Sequence, residues 1–189
     1  MAKRRRRTTA QATRDDEYRR FLDAAPSELY RDLFTVMRHA GLRVSEVVAL
    51  RWDQLDLEAC QLHIKGKGGV ERYVDVLVPV EEVLRRRSEV HRSAVEYSTS
   101  QPFVFPTSTG HPPTTRTVQR VLKRLREELG IPRERATPHK LRHAYGTGLA
   151  RKGVPVHIIK DQMGHADIAT TSVYLHSAGG EVRRLVDEA

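Results

Sequence analysis

The 189-residue chain reads as an α+β fold, mostly helical, with one small antiparallel sheet. Three observations predict it. Apolar residues recur at helical spacing through most of the chain. The period drops to two in one stretch, Gln61 to Val78, around a glycine-rich turn. Hydrophobic residues make up 39% of the chain, enough for one core with little to spare. That length suits a single domain with short appendages.

Met1 to Thr13 reads as a disordered arm. Lys3, Arg4, Arg5, Arg6 and Arg7 form one block of like charge with no apolar residue to bury, which suits salt-sensitive phosphate contact. Asp15 to Ala25 places Tyr18, Phe21, Leu22 and Ala25 at helical spacing. A second helix is expected from Ser27, a suitable N-cap, to Ala40, with Gly41 stopping it. Ser45 to Leu50 is a short third helix. Gln61 to Ile64 and Val70 to Val78 are the strands, joined by a tight turn at Gly66-Lys67-Gly68-Gly69. In the second strand Val70, Arg72, Val74, Val76 and Val78 share one face; Glu71, Tyr73 and Asp75 share the other. Helix is expected again from Glu81 to about Tyr97, and Ser98 to Pro113 is irregular. Thr114 to Gly130 is a helix with Val118, Val121, Leu122, Leu125 and Leu129 inward. Pro132 and Pro138 bracket a loop. Lys140 to Lys152, Val156 to Met163 and Ile168 to about Tyr174 complete the helical set. Gly179-Gly180 then releases an amphipathic Glu181 to Val186.

A formal net charge of +9 argues for a polyanionic partner, nucleic acid first. Cys60 is the single cysteine, so no intrachain disulfide can form; a half-buried thiol ahead of a strand is the expected reading. No apolar run approaches the roughly 18 residues of a membrane span. The charged N-terminus has no apolar stretch behind it, unlike a secretory signal.

Three segments carry candidate chemistry: Gly41-Leu42-Arg43-Val44-Ser45-Glu46, His139-Lys140-Leu141-Arg142-His143, and Gly164-His165 with Tyr174 beyond it. Attack on a phosphodiester builds charge on the phosphate oxygens. Guanidinium suits that charge because it is planar, permanently cationic and can grip two oxygens. Arg43 lies between a helix-ending glycine and a new helix. His139 and Arg142 at i and i+3 share one helix face. Tyr174 would be the nucleophile, with His139 or His165 taking its proton and nearby cations favouring phenolate. Lys67 on the hairpin is a mobile acid for the leaving oxygen, with Lys65 a rival in reach. Each has a plainer reading. Arg43 could simply pair with Glu46, Tyr174 could be a packed helix-end tyrosine, and His139 with His143 could bind metal, though nothing completes a shell. Tyr145 is expected in the core, and His157 and His176 at the surface. Arg116, Arg120, Lys123 and Arg124 mark a helix that could face a DNA groove or only solvent.

In this order and spacing the boxes resemble the tyrosine recombinase (phage integrase) family. The resemblance runs from about Asp15 to the end, with Gly66-Lys67-Gly68 similar to the family's lysine turn. It implies a helical catalytic domain over residues 14–176 with a three-stranded antiparallel sheet at one edge. Residues 177–189 would then be a hinge and short helix, either exchanged between protomers or folded back on its own domain. The resemblance also implies the roles. Arg43, His139, Arg142 and His165 bind the scissile phosphate, Lys67 protonates the leaving 5′-oxygen, and Tyr174 forms a 3′-phosphotyrosyl bond. No metal, ATP or other cofactor is expected. The implied partner is double-stranded DNA carrying recombination sites, bound by a homo-tetramer that is a monomer in free solution, in the cytoplasm with the nucleoid. Relatives commonly carry an N-terminal helical clamp; here the basic arm precedes the domain. A non-catalytic DNA-binding module and a nicking-closing enzyme of type IB topoisomerase character are the competing readings.

Overall fold

The computed structural model describes residues 13–66, 69, 71–96, 102–164 and 181–187. Eight helices are described: α1 Asp15–Asp23, α2 Glu28–His39, α3 Val44–Val48, α4 Val78–Glu96, α5 Thr115–Glu128, α6 Pro138–Arg151, α7 Val156–Met163 and α8 Glu181–Asp187. Three strands, β1 Leu55–Asp56, β2 Gln61–Lys65 and β3 Glu71–Asp75, form an antiparallel sheet in the order β1-β2-β3.

Helix α2 is the central element. Asp32 through Met37 are all buried along it, so the helix is covered on every side, by α1, α3, α4 and α6. Leu33, Phe34, Val36 and Met37 are fully enclosed. Burying a side chain of this size contributes about 1.5–3 kcal/mol. A second, smaller cluster gathers Tyr145, Leu149, Val154, Ile158, Ile159 and Met163 from α6 and α7. Val182 of α8 completes it from the same chain. Helix α8 is fastened further by the Val182 backbone N–H donating to Asp75 Oδ2 at 2.9 Å and by Lys152 Nζ donating to Val186 O at 2.9 Å.

Side-chain caps set two of the helix starts, while Ser27 stands at the N-cap of α2 without a capping bond. Thr114 and Thr137 cap α5 and α6, their hydroxyls accepting from Thr117 N and Lys140 N. Cys60 precedes β2, half-buried, in the left-handed region with φ 53°.

Three sequence expectations are corrected. The second strand ends at Asp75, not Val78; Val78 opens α4 three residues before the expected start at Glu81 and is 46% exposed. Pro79 cannot donate a ladder hydrogen bond and tolerates a first helical turn. Asp75 shares the strand face of exposed Glu71 and Tyr73 yet is buried, with Gln61 Nε2 and the α8 backbone both donating to its carboxylate. Helix α6 opens at Pro138, two residues before the expected start at Lys140, because a missing N–H costs nothing at the first helical position. The basic arm before Thr13, the expected helix Ile168 to Tyr174 and the glycine pair Gly179-Gly180 lie outside the described residues.

Candidate active site

The site is assembled at the end of α7. Gly164 closes that helix in the left-handed conformation, φ 60° and ψ 53°. A β-carbon there would stand 3.0 Å from the Arg72 side chain and would push that guanidinium aside. A helix end leaves carbonyls without intrahelical partners and carries negative partial charge. Three successive carbonyls are each taken by a different guanidinium. Arg72 Nε donates to Gln162 O at 3.0 Å, Arg142 Nη2 to Met163 O, and Arg43 Nη2 to Gly164 O at 2.8 Å. The three arginines arrive from β3, α6 and the cap of α3.

Glu46 of α3 stands among them with its side chain only 7% exposed. Arg72 grips it with two prongs, Nη1 to Oε1 at 3.0 Å and Nη2 to Oε2 at 2.9 Å. Arg43 adds its Nη1 to Oε1 at 2.9 Å and its backbone N–H to Oε2 at 2.7 Å. Arg142 Nη1 is 3.7 Å from Oε2 and donates to Gly41 O at 2.7 Å. Burial alone would raise the Glu46 carboxyl. The Arg72 fork, the Arg43 backbone N–H and the Arg43 side chain outweigh it, and the carboxyl lies below its ordinary range. Burial, then the neighbouring charge of Arg43, draws Arg142 down to about 10, so it remains a cation at neutral pH.

One carboxylate against three guanidiniums leaves an excess of positive charge. Access to it is graded: the Arg43 side chain is 43% exposed, Arg142 7% and Arg72 10%. An incoming anion would therefore meet Arg43 first, with the other two held from behind.

Gly41 explains how α2 delivers Arg43. Its φ of 61° turns the chain and presents its carbonyl to Arg142. A β-carbon on it would fall 2.3 Å from the Tyr145 ring. Tyr145 is thus a packed residue, 4% exposed, its phenol pushed up by burial, as its place in an apolar helix suggests.

His139 lies in the first turn of α6, one turn before Arg142, exposed at the surface. Its ring is parallel to that of His143 with centroids 6.5 Å apart. Desolvation, then the His143 charge, holds it below the ordinary imidazole value, so at neutral pH it can accept a proton. Among the described residues no group of three or more potential ligands could hold a metal ion. Arg116, Arg120, Lys123 and Arg124 are all exposed along α5, opposite buried Val118, Leu122 and Leu125; Lys123 and Arg124 reach Glu127 and Glu128 at 3.8 and 3.1 Å. Lys67, His165, Tyr174 and the arm residues Lys3 to Arg7 lie outside the described residues.

Arg72 was not singled out from the sequence. Its signal was an arginine alternating with valines on the inward strand face, where a charge needs a partner.

Residues 11–181 match the model of the phage integrase family, and the chain belongs to that family. It is 36% identical over 146 residues to tyrosine recombinase XerD of Lacticaseibacillus casei, covering 77% of this chain and 50% of that protein. It is 28% identical over 193 residues to tyrosine recombinase XerA of Pyrococcus furiosus, covering 97% and 63%. The chain thus spans about half to two thirds of the length of these relatives. A crystal structure of XerA recombinase superposes with a TM-score of 0.70 at 25% identity, covering 94% of this chain and 64% of that one. The lambda integrase catalytic core shares the fold, with a TM-score of 0.66 at 19% identity over 85% of this chain and 95% of that one.

Proposed function

We propose that this chain is the catalytic part of a site-specific DNA recombinase, acting in integration, excision, inversion or resolution. The observation that carries the reading is the excess of guanidinium charge around Glu46, one arginine of which faces outward. Such fixed charge stabilises the extra negative charge of a phosphoryl transition state without reorganising, usually the largest catalytic contribution. Tyr174 supplies the nucleophile. Its oxygen bonds to phosphorus, its proton passes to His139 or His165, and the phosphorus–5′-oxygen bond breaks with Lys67 protonating the departing oxygen. The freed 5′-hydroxyl of another strand then reverses the step on a neighbour's phosphotyrosine, so no ATP or metal is consumed.

Lambda integrase has been solved as a tetramer bound to a Holliday junction. By analogy this chain acts as a tetramer on paired sites, in the cytoplasm and on the nucleoid. Passing α8 to a neighbour would break its contacts with Asp75 and Val76 and expose Val182. Arg116, Arg120, Lys123 and Arg124 of α5 and the basic arm supply further phosphate contacts.

The test is a duplex nicked beside the scissile bond, selected for binding from a randomised pool. The wild-type chain should form a covalent adduct, in EDTA as well as in magnesium. Tyr174→Phe should bind the same duplex and form none. An adduct that survives this substitution, or appears only with magnesium, defeats the mechanism.

A further inference from the structure

We propose that Arg72 is a positioning residue for strand cleavage, holding Glu46 and the end of α7 so that Arg43 and Arg142 converge on one phosphate. This rests on the recombinase reading above.

Arg72 does not itself meet DNA. Its side chain is 10% exposed, and Nε, Nη1 and Nη2 are all committed, to Gln162 O, Glu46 Oε1 and Glu46 Oε2. It lies on the inward face of the sheet, paired with Ile64 on β2 and flanked in alternation by Val74. Stability is a poor explanation for a guanidinium there. A buried ion pair seldom outperforms the apolar residues that could replace it. What Arg72 does is join two supports that the other arginines need. Glu46 receives Arg43 on both oxygens and Arg142 at 3.7 Å. The α7 terminus receives Arg142 and Arg43 on the two carbonyls that follow the one Arg72 holds. Loosening Arg72 therefore loosens both at once. Lysine cannot substitute, because its three donors radiate from one nitrogen and cannot match the planar two-pronged grip on Glu46 together with the bond to Gln162 O.

The experiment uses the full chain as wild type, Arg72→Lys and Arg72→Ala, with unfolding curves to verify folding. Single-turnover adduct formation is followed on the selected nicked duplex at saturating DNA. Misplacing reacting groups by about an ångström costs up to about a hundredfold. Arg72→Lys should slow the saturated rate at least about tenfold, and Arg72→Ala about a hundredfold, while half-saturating DNA shifts less than about threefold. Millimolar guanidinium should restore part of the Arg72→Ala rate. The rate profile should also gain an acid limb at higher pH, since Glu46, faced by Arg43, Arg72 and Arg142, loses the strongest of the bonds that hold it ionised. A wild-type saturated rate in folded Arg72→Lys, or a loss confined to DNA affinity, overturns the assignment.

A second readout needs no cleavage. In arginine-labelled protein the Arg43 and Arg142 Nε–H resonances should shift and broaden in Arg72→Lys. Unchanged resonances overturn the proposal whether or not the wild type cleaves. Absence of a wild-type adduct alone condemns the recombinase reading instead.

Discussion

Two of the buried carboxylates among the described residues, Asp32 and Glu46, are each gripped by more than one guanidinium, and their acidities move in opposite directions. Asp32 on α2 is 1% exposed, with Arg86 Nη2 on one oxygen at 2.7 Å and Arg87 Nε on the other at 2.6 Å. Burial pushes its carboxyl up, beyond what Arg87 pulls down. Glu46 is comparably buried, yet its carboxyl is pulled down. The difference lies in the number and shape of the bonds to the charged form. Glu46 takes a two-pronged arginine, a second guanidinium and a backbone N–H. Asp32 takes one bond from each of two arginines in the same enclosed space. The first arrangement keeps a permanent anion on which cations can be arranged. The second fastens α2 to α4 and tolerates neutralisation.

The largest expected effect is at Glu46. Glu46→Gln removes the anion beneath three guanidiniums, and breaking a buried pair of this kind costs about 3–5 kcal/mol. Denaturant unfolding should show that loss, and adduct formation should fall with it. Next comes Gly41→Ala, which forces a left-handed alanine against the Tyr145 ring and should cost about 2–3 kcal/mol. The smallest effect on cleavage is at Asp32→Asn, which should loosen the α2–α4 fastening while its cleavage rate matches wild type, because Arg86 and Arg87 hold it apart from the Glu46 cluster. An Asp32→Asn deficit as large as that of Glu46→Gln would end the comparison.

The pH dependence sharpens it. The Glu46 carboxyl is depressed, so its contribution is complete above the ordinary value of 4.5 and is lost as pH falls through the lower folded-state value. The stability gap between wild type and Glu46→Gln should therefore narrow on acidification. The Asp32 carboxyl is raised, so folding is favoured as pH falls through that raised value toward the ordinary 3.8. The gap between wild type and Asp32→Asn should widen over that window. Parallel slopes in the two series would show that the arginines around Asp32 act like those around Glu46.

Much of this was legible in the sequence where the cause was local. The bounds of α7, Val156–Met163, follow from Pro155 before it and Gly164 after it. Arg43, His139 and Arg142 were found through their placement beside a helix stop and on one helix face, and two of them do meet on Glu46. Tyr145 was placed in the core from its apolar neighbours. What sequence could not supply was tertiary. Arg72 and Glu46 are 26 residues apart on different elements, and no period links them. The burial of Asp75 was invisible because its partners, Gln61 and the start of α8, approach only in the folded chain. The valine alternation through Val78 favoured a longer strand, and Pro79 was the overlooked stop.

The carbonyls of Gln162, Met163 and Gly164 have one further consequence. The arginines they hold lie 90, 21 and 121 positions away in the chain. Contacts so remote are slow to close, and the set of three is complete only after residue 164 has been added. A half-made or locally melted polypeptide therefore lacks the assembled cluster. On the recombinase reading, the arginine cluster is complete only once residue 164 of 189 is in place, and it is lost at the first loosening of that single helix end.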